Sequence, residues 1–187
     1  MVSDTSVWGK GRFSLIVYCA PTLVAKYVHK MEKRARSIGA KFETREGFPT
    51  DDEFNQYAKL PKYVLFVMDD TGMHAQKTSQ QITDLVSQKI NNLGLSCICV
   101  FQVSYGKSSS RVDLTSVSRN SQYKVLFAQF QDRKQYRAMS LTHFPDYPSD
   151  AYNIMLEWIR KHLFKKWGYL VINQNANADI DTEYRVI

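Results

Sequence analysis

The sequence lacks most of the features that assign a class at a glance. No run of about 18 to 20 consecutive apolar residues occurs, so no stretch has the length that a helix needs to span a bilayer core. Residues 1–13, MVSDTSVWGKGRF, place charge and glycine where a signal peptide needs an apolar centre, and the expectation is an intracellular chain. Cysteine is scarce and odd in number, at three, which argues against a disulfide framework. Cys97 and Cys99 sit inside the apolar run LSCICVF with no second ligand pair after them, so they read as reduced thiols packed in a strand rather than as half of a zinc site. The four histidines, His29, His74, His143 and His162, form no spaced ligand set, and neither HExxH nor GxSxG is present. Also missing is GxxxxGK[ST], the loop whose amides and lysine cradle phosphate. The nearest string, VWGKGRFS, has Gly9 and Lys10, but Asp4 stands where the first glycine belongs and Gly11 where the hydroxyl residue belongs.

What is present is a basic, moderately apolar chain. Its 187 residues are 44% hydrophobic and carry a net charge of +7, with an isoelectric point near 9.3. That length suits a single domain with a sizeable core, expected over 1–187 with residues 1–12 as a polar leader. A basic balance fits a nucleic-acid partner without demonstrating one. The densest basic patches, KMEKRAR (30–36) and RKHLFKKW (160–167), read first as the solvated sides of helices.

Along the chain, apolar runs alternate with helical periodicity. FSLIVYC (13–19) predicts a buried strand, and TLVAKYVHKMEKRARSIG (22–39) a helix with Leu23, Tyr27, Val28 and Met31 on one stripe, Thr22 as cap and Gly39 as stop. KFETREGFP gives a brief extended piece and a turn, and TDDEFNQYAKL a short helix capped by Thr50 and ended by Pro61. KYVLFVMDD (62–70) predicts a strand buried on both faces. SQQITDLVSQKINNLG (79–94), with Ile82, Leu85, Val86 and Ile90 at helical spacing, leads to the strand LSCICVFQ (95–102). After the polar loop SYGKSSSR come a strand over 123–130, a helix over 131–144, a helix capped by Ser149 over 150–167, and strands at 168–173 and the C-terminus. Strands alternating with helices predict an α/β fold with a mostly parallel sheet flanked by helices.

In such sheets ligands collect beyond the carboxyl ends of the strands. Asp69 and Asp70 end one strand there and Gln102 ends the next, placing two carboxylates and an amide along one rim. A hydrophobic strand finishing in two acids has the form of an element that holds Mg²⁺ with the first acid and activates water with the second. A hydrophobic strand ending in aspartate is also common in α/β proteins without that chemistry.

Several segments, taken in order, resemble the FtsK/HerA-type DNA-packaging ATPases of Polinton/Maverick elements, virophages and related large DNA viruses. The carriers are FSLIVYC before a helix, YVLFVMDD as the Walker B strand, CICVFQ as the strand ending in a sensor glutamine, and the Arg111 to Asn120 pair ahead of the next strand. SQYKVLFAQFQDRKQY, FPDYP, AYNIML and WGYLVIN follow in family order. The resemblance implies a P-loop NTPase-like core of RecA/ASCE type missing its first strand, P-loop and helix. It implies ATP and Mg²⁺ as cofactors, duplex DNA as partner, a homo-oligomeric ring, and capsid proteins as possible further partners. It does not separate nucleus, cytoplasm and viral factory. Carried over residue by residue, Asp69 is the metal-associated acid, Asp70 the water-activating one, Gln102 the sensor, and Arg111 the arginine that completes a neighbouring subunit's site. The family's spacing between that arginine and Asn120 is shorter than the eight residues found here, so Arg119 is a second candidate for the role. With the cradle missing from this sequence, the expectation is a fragment or a degenerate homologue that binds ATP poorly. A catalytically silent α/β DNA-binding or protein-interaction module, and an unrelated α/β enzyme with a metal on its acid rim, are the alternatives.

Overall fold

The computed structural model describes residues 12–61, 63–70, 82–85, 89–101, 117, 120–127, 137, 140–141, 148–163, 169–174 and 184–186. The chain divides into two compact units, Met1–Gln102 with Lys107–Asp113, and Val103–Gly106 with Leu114–Ile187.

In the first unit, β1 (Leu15–Ala20), β2 (Lys41–Glu46), β3 (Val64–Asp69) and β4 (Ser96–Val100) form a parallel sheet in the order β2-β1-β3-β4. The two greasiest runs are its centre: all six residues of β1 and the first five of β3 are buried. That is what strands covered on both faces require. Leu15 to Cys19 lie opposite Val64 to Met68, and Leu65 to Asp69 opposite Ser96 to Val100.

Strand alternation sorts this apolar surface into two layers. Ile16, Tyr18 and Ala20 with Leu65 and Val67 face α1 (Ala25–Ser37), packing with Ala35, Ile38, Val28 and Met31. Leu15, Val17 and Cys19 with Val64, Phe66 and Met68 face the opposite layer, made by Phe54 of α2 (Asp51–Ala58), Leu85 in the helical residues 82–85, and α3 (Ile90–Leu93). Phe66 is the hub there, with Phe54 at 4.9 Å and Tyr57 at 5.3 Å between ring centroids. The helices therefore cover both faces, and the α/β expectation holds for this unit.

Three local readings change. Helix α1 starts at Ala25 with Val24 as its cap and no side-chain capping bond, not at Thr22. The chain bends at Pro21 and Thr22 on leaving β1 and turns helical only afterwards, because Pro21 cannot donate into a ladder and fixes its own φ. KFETRE is a full strand, not a brief extended piece: it pairs with β1 along all six positions. Its low hydrophobicity reflects an edge position. Phe42 packs against the Tyr18 ring at 6.5 Å, Arg45 pairs with Glu53 at 2.7 Å, Glu43 accepts from the Tyr57 hydroxyl at 2.8 Å, and Lys41 and Glu46 are exposed, a composition that discourages pairing with other chains. Helix α2 begins where the sequence placed it. Thr50 and Glu53 exchange bonds in a full capping box, although the helix ends at Ala58, short of Leu60. Gly39 and Gly94, at φ of 81° and 64°, stop their helices in the left-handed region that a Cβ disfavours.

The second unit departs from the parallel pattern. β5 (Tyr123–Phe127), β6 (Tyr169–Asn173) and β7 (Tyr184–Val186) form a three-stranded antiparallel sheet in that order, with α4 (Ala151–Leu163) before β6. Apolar runs do not encode strand direction, and the side chains described on these strands are mostly only partly buried. Tyr123 is exposed and Lys124 and Val125 are half-buried, while Ile172 is fully covered between half-buried neighbours. One solvated face is what an antiparallel sheet tolerates and a parallel one rarely does. Of the helix expected over 131–144, Arg137, Ser140 and Leu141 are described and helical; the strand's expected continuation over 128–130 lies outside the described residues.

Candidate functional site

β1 and β3 are neighbours whose outgoing connections diverge. From β1 the chain crosses to β2 through α1 on one face, whereas from β3 it crosses in the opposite direction to β4, with Leu85, Ile90 and Leu93 of that connection packed on the other face. The carboxyl ends of β1 and β3 therefore flank a topological switch point, the place where a crevice forms because the two connections leave in opposite directions. Asp69 and Asp70 stand at that point.

Asp69 continues the series Leu65, Val67 and so emerges on the α1 side of the sheet. There the Tyr18 hydroxyl, from the neighbouring strand, donates to Asp69 Oδ2 at 2.6 Å. The Tyr18 ring is almost wholly buried, at 7% exposure, so its hydroxyl is aimed by packing rather than by chance. Burial first, and then the hydrogen bond and negative charge of Asp69, push the Tyr18 pKa well above its ordinary value. The phenol is therefore a fixed donor at physiological pH. A bond of this length to a carboxylate is charge-assisted and orients the acceptor.

Asp70 follows in a different geometry. Its φ is 54°, and among the described residues it alone takes a positive φ without being glycine. Aspartate tolerates this region better than most side chains, at a cost of about 1 kcal/mol. Its N–H donates to the Val100 carbonyl at 3.2 Å, extending the β3–β4 ladder by one bond before the chain turns away. The two acids thus leave the sheet with different orientations, Asp69 held by a side chain of β1 and Asp70 by the backbone of β4. Both are half-buried.

The site as described is Asp69, Asp70 and Tyr18. Gln102, Arg111 and Arg119 lie outside the described residues. The sequence reading did not single out Tyr18. The available signal was its place in LIVYCA, where a polar-tipped aromatic interrupts an aliphatic run near the carboxyl end of a buried strand.

A hard divalent cation such as Mg²⁺ fits this donor set. It takes oxygen ligands, commonly one or two carboxylates, and fills the remaining positions with water and phosphate rather than an all-protein cage. Among the described residues no group of three or more His, Cys, Asp or Glu converges as a metal cage. The cysteines do not enlarge the site. Cys97 and Cys99 Sγ lie 3.5 Å apart on β4, and the Cys97 pKa is raised by that contact and then by burial. Burial likewise pushes Cys19 up to about 12. Cys19 and Cys97 read as packed, protonated thiols, and their sulfurs are poor ligands and nucleophiles in that form.

No described helix is long and apolar enough to cross a membrane. No protein-family model matches the chain, and neither a curated protein nor a solved structure matches it.

Proposed function

We propose that Asp69 and Asp70 are the metal-and-water half of a nucleotide site, in a chain derived from a DNA-packaging ATPase of the FtsK/HerA type. The observation that carries this reading is the position of the acid pair at the switch point of a parallel sheet with helices on both faces, with Asp69 oriented by Tyr18. In this reading Asp69 holds Mg²⁺, which when bound neutralises the phosphates and orders water around itself. Asp70 accepts a proton from the attacking water, and Tyr18 keeps the Asp69 carboxylate turned toward the metal. Gln102, two residues after the last residue of β4 in sequence, would sense the terminal phosphate, and Arg111 or Arg119 would serve a neighbouring subunit in a ring. The phosphate cradle is not part of this sequence, so the chain alone holds ATP weakly: the amides and lysine that bind phosphate oxygens are missing while two anions face the triphosphate.

Binding of a fluorescent ATP analogue, followed by anisotropy with and without Mn²⁺, tests the proposal. Metal-dependent binding that Asp69→Asn abolishes is the expected result. Binding indifferent to both the metal and Asp69 would overturn it.

A second reading, of a catalytically silent module that binds DNA or protein, is favoured by the basic surface of α1. It predicts DNA binding with no metal-dependent nucleotide binding at all.

A further inference from the structure

Two cysteines of β4 stand beside a methionine of β3. Cys97 and Cys99 lie two apart on one strand, so their side chains leave the sheet on the same face, and their Sγ atoms are 3.5 Å apart. Both are half-buried. Met68 is paired in register with Cys99 and belongs to the same apolar layer as the two cysteines, where it is almost wholly covered, at 2% exposure. Three sulfur side chains are thus brought together on the face opposite to the one on which Asp69 emerges. Among the described residues no His, Asp, Glu or third Cys joins the thiol pair as a metal-binding group, and the layer around it holds Phe54, Leu85 and Leu95.

A close thiol pair can close on itself or close on an ion, and geometry separates the two. A disulfide needs its Cβ atoms about 3.8 Å apart, whereas same-face Cβ atoms two residues apart on a strand stand about 6.6 Å apart, two rises of about 3.3 Å. Closing that gap would buckle β4, which is paired with β3 along its whole length. An ion between the sulfurs asks for far less. At a metal–sulfur bond of about 2.3 Å, two thiolates on one ion lie about 3.8 Å apart at a tetrahedral angle and about 4.0 Å apart at a trigonal one. The two Sγ atoms are already within about 0.5 Å of either value.

We infer that Cys97, Cys99 and Met68 form a site for a soft monovalent ion, cuprous copper, held by two thiolates and one thioether. Ligand softness selects the metal: thiolate and thioether donors favour Cu(I), whereas Mg²⁺, Ca²⁺ and Mn²⁺ ask for oxygen. Zinc is disfavoured by number, because a structural zinc site takes four ligands and the described residues offer two thiolates. On binding, each thiol gives its proton to solvent and forms a copper–sulfur bond, and the Met68 sulfur donates a lone pair as the third ligand. No electron is transferred. The raised pKa of Cys97 lowers the affinity without preventing coordination, since a coordinating thiol is deprotonated outright. The inference stands on the register and face of three sulfur side chains and not on the nucleotide reading.

The test is anaerobic titration of the reduced full chain with Cu(I) buffered by bathocuproine disulfonate, whose colour reports the metal left on the chelator, followed by X-ray absorption at the copper edge. One ion withdrawn per chain and a shell of three sulfurs are expected. C97S/C99S is expected to lose the ion, and Met68→Leu, a swap of similar volume, to keep it with a two-sulfur shell. Cys19→Ala, which removes the remaining thiol of the chain, is expected to keep both the ion and the three-sulfur shell. Should circular dichroism show the double variant unfolded, the sulfur counts of the parent and of Met68→Leu carry the test. Failure of the parent to withdraw copper overturns the inference, as do nitrogen or oxygen ligands in its shell, unchanged uptake by folded C97S/C99S, or loss of the ion in folded Cys19→Ala. A two-sulfur shell in the parent overturns the place given to Met68. Asp69→Asn is expected to take up Cu(I) like the parent, which keeps this test separate from that of the nucleotide site.

Discussion

Replacing Tyr18 with phenylalanine removes one oxygen and leaves the ring packing intact, so it isolates the bond that orients Asp69. A hydrogen bond to a charged group contributes about 1.5–3 kcal/mol. The acceptor here is half-buried and can regain water when the donor is lost, which puts the expected loss at the low end, about 1.5 kcal/mol, or about a tenfold change in the folding equilibrium. The same bond has a pH signature. Burial, with Asp69 next, raises the folded Tyr18 pKa above its unfolded value, so the folded state binds the proton more tightly. That contribution is complete below about pH 10 and is lost as pH rises beyond it, at up to about 1.4 kcal/mol per pH unit for one proton. Burial, then Glu43, pushes Tyr57 up to about 12, and burial pushes Cys19 up to about 12. These two groups weaken parent and variant alike, so the difference between the proteins belongs to Tyr18. Urea unfolding of both at about pH 9 and about pH 11 measures it. The parent should lose more stability between the two than Tyr18→Phe does. A variant within about 0.5 kcal/mol of the parent at the lower pH, with the same alkaline loss, would show that the bond does not hold Asp69.

Phe66→Ala should cost about 3–5 kcal/mol in the same assay, because the ring is fully buried and packed against Phe54 and Tyr57, so its removal leaves a cavity. Thr50→Ala should cost about 1 kcal/mol through loss of the capping box of α2, with an unchanged denaturant slope. In the native protein at neutral pH, Cys19 should resist thiol reagents until the protein unfolds, as its burial and raised pKa require; labelling of Cys19 as fast as of the half-buried Cys99 would contradict the packing described.

The parallel core was legible from the sequence because its two central strands are continuous apolar runs, LIVYCA and VLFVM, and only strands covered on both faces need that composition. The acid pair was legible for the same reason, since the run ends abruptly in Asp69 and Asp70. β2 was underread because an edge strand buries little: KFETRE alternates charge with one aromatic. The antiparallel pairing of β5, β6 and β7 was not readable, since direction depends on how the connections route the chain and not on the side chains of the strands. Tyr18 escaped notice because its role comes from the register of β1 against β3, a contact between residues 51 apart in sequence. The asymmetry between Asp69 and Asp70 also belongs to the backbone, in the left-handed turn at Asp70.

The acid rim itself is tested most directly by titrating the chain with Mn²⁺ and counting the free ion by electron paramagnetic resonance, in the parent, Tyr18→Phe and Asp69→Asn. The account predicts one bound ion in the parent, weaker binding by about 10-fold or more when Tyr18 no longer orients the carboxylate, and loss of the site in Asp69→Asn. Identical titrations for the parent and Asp69→Asn would contradict it.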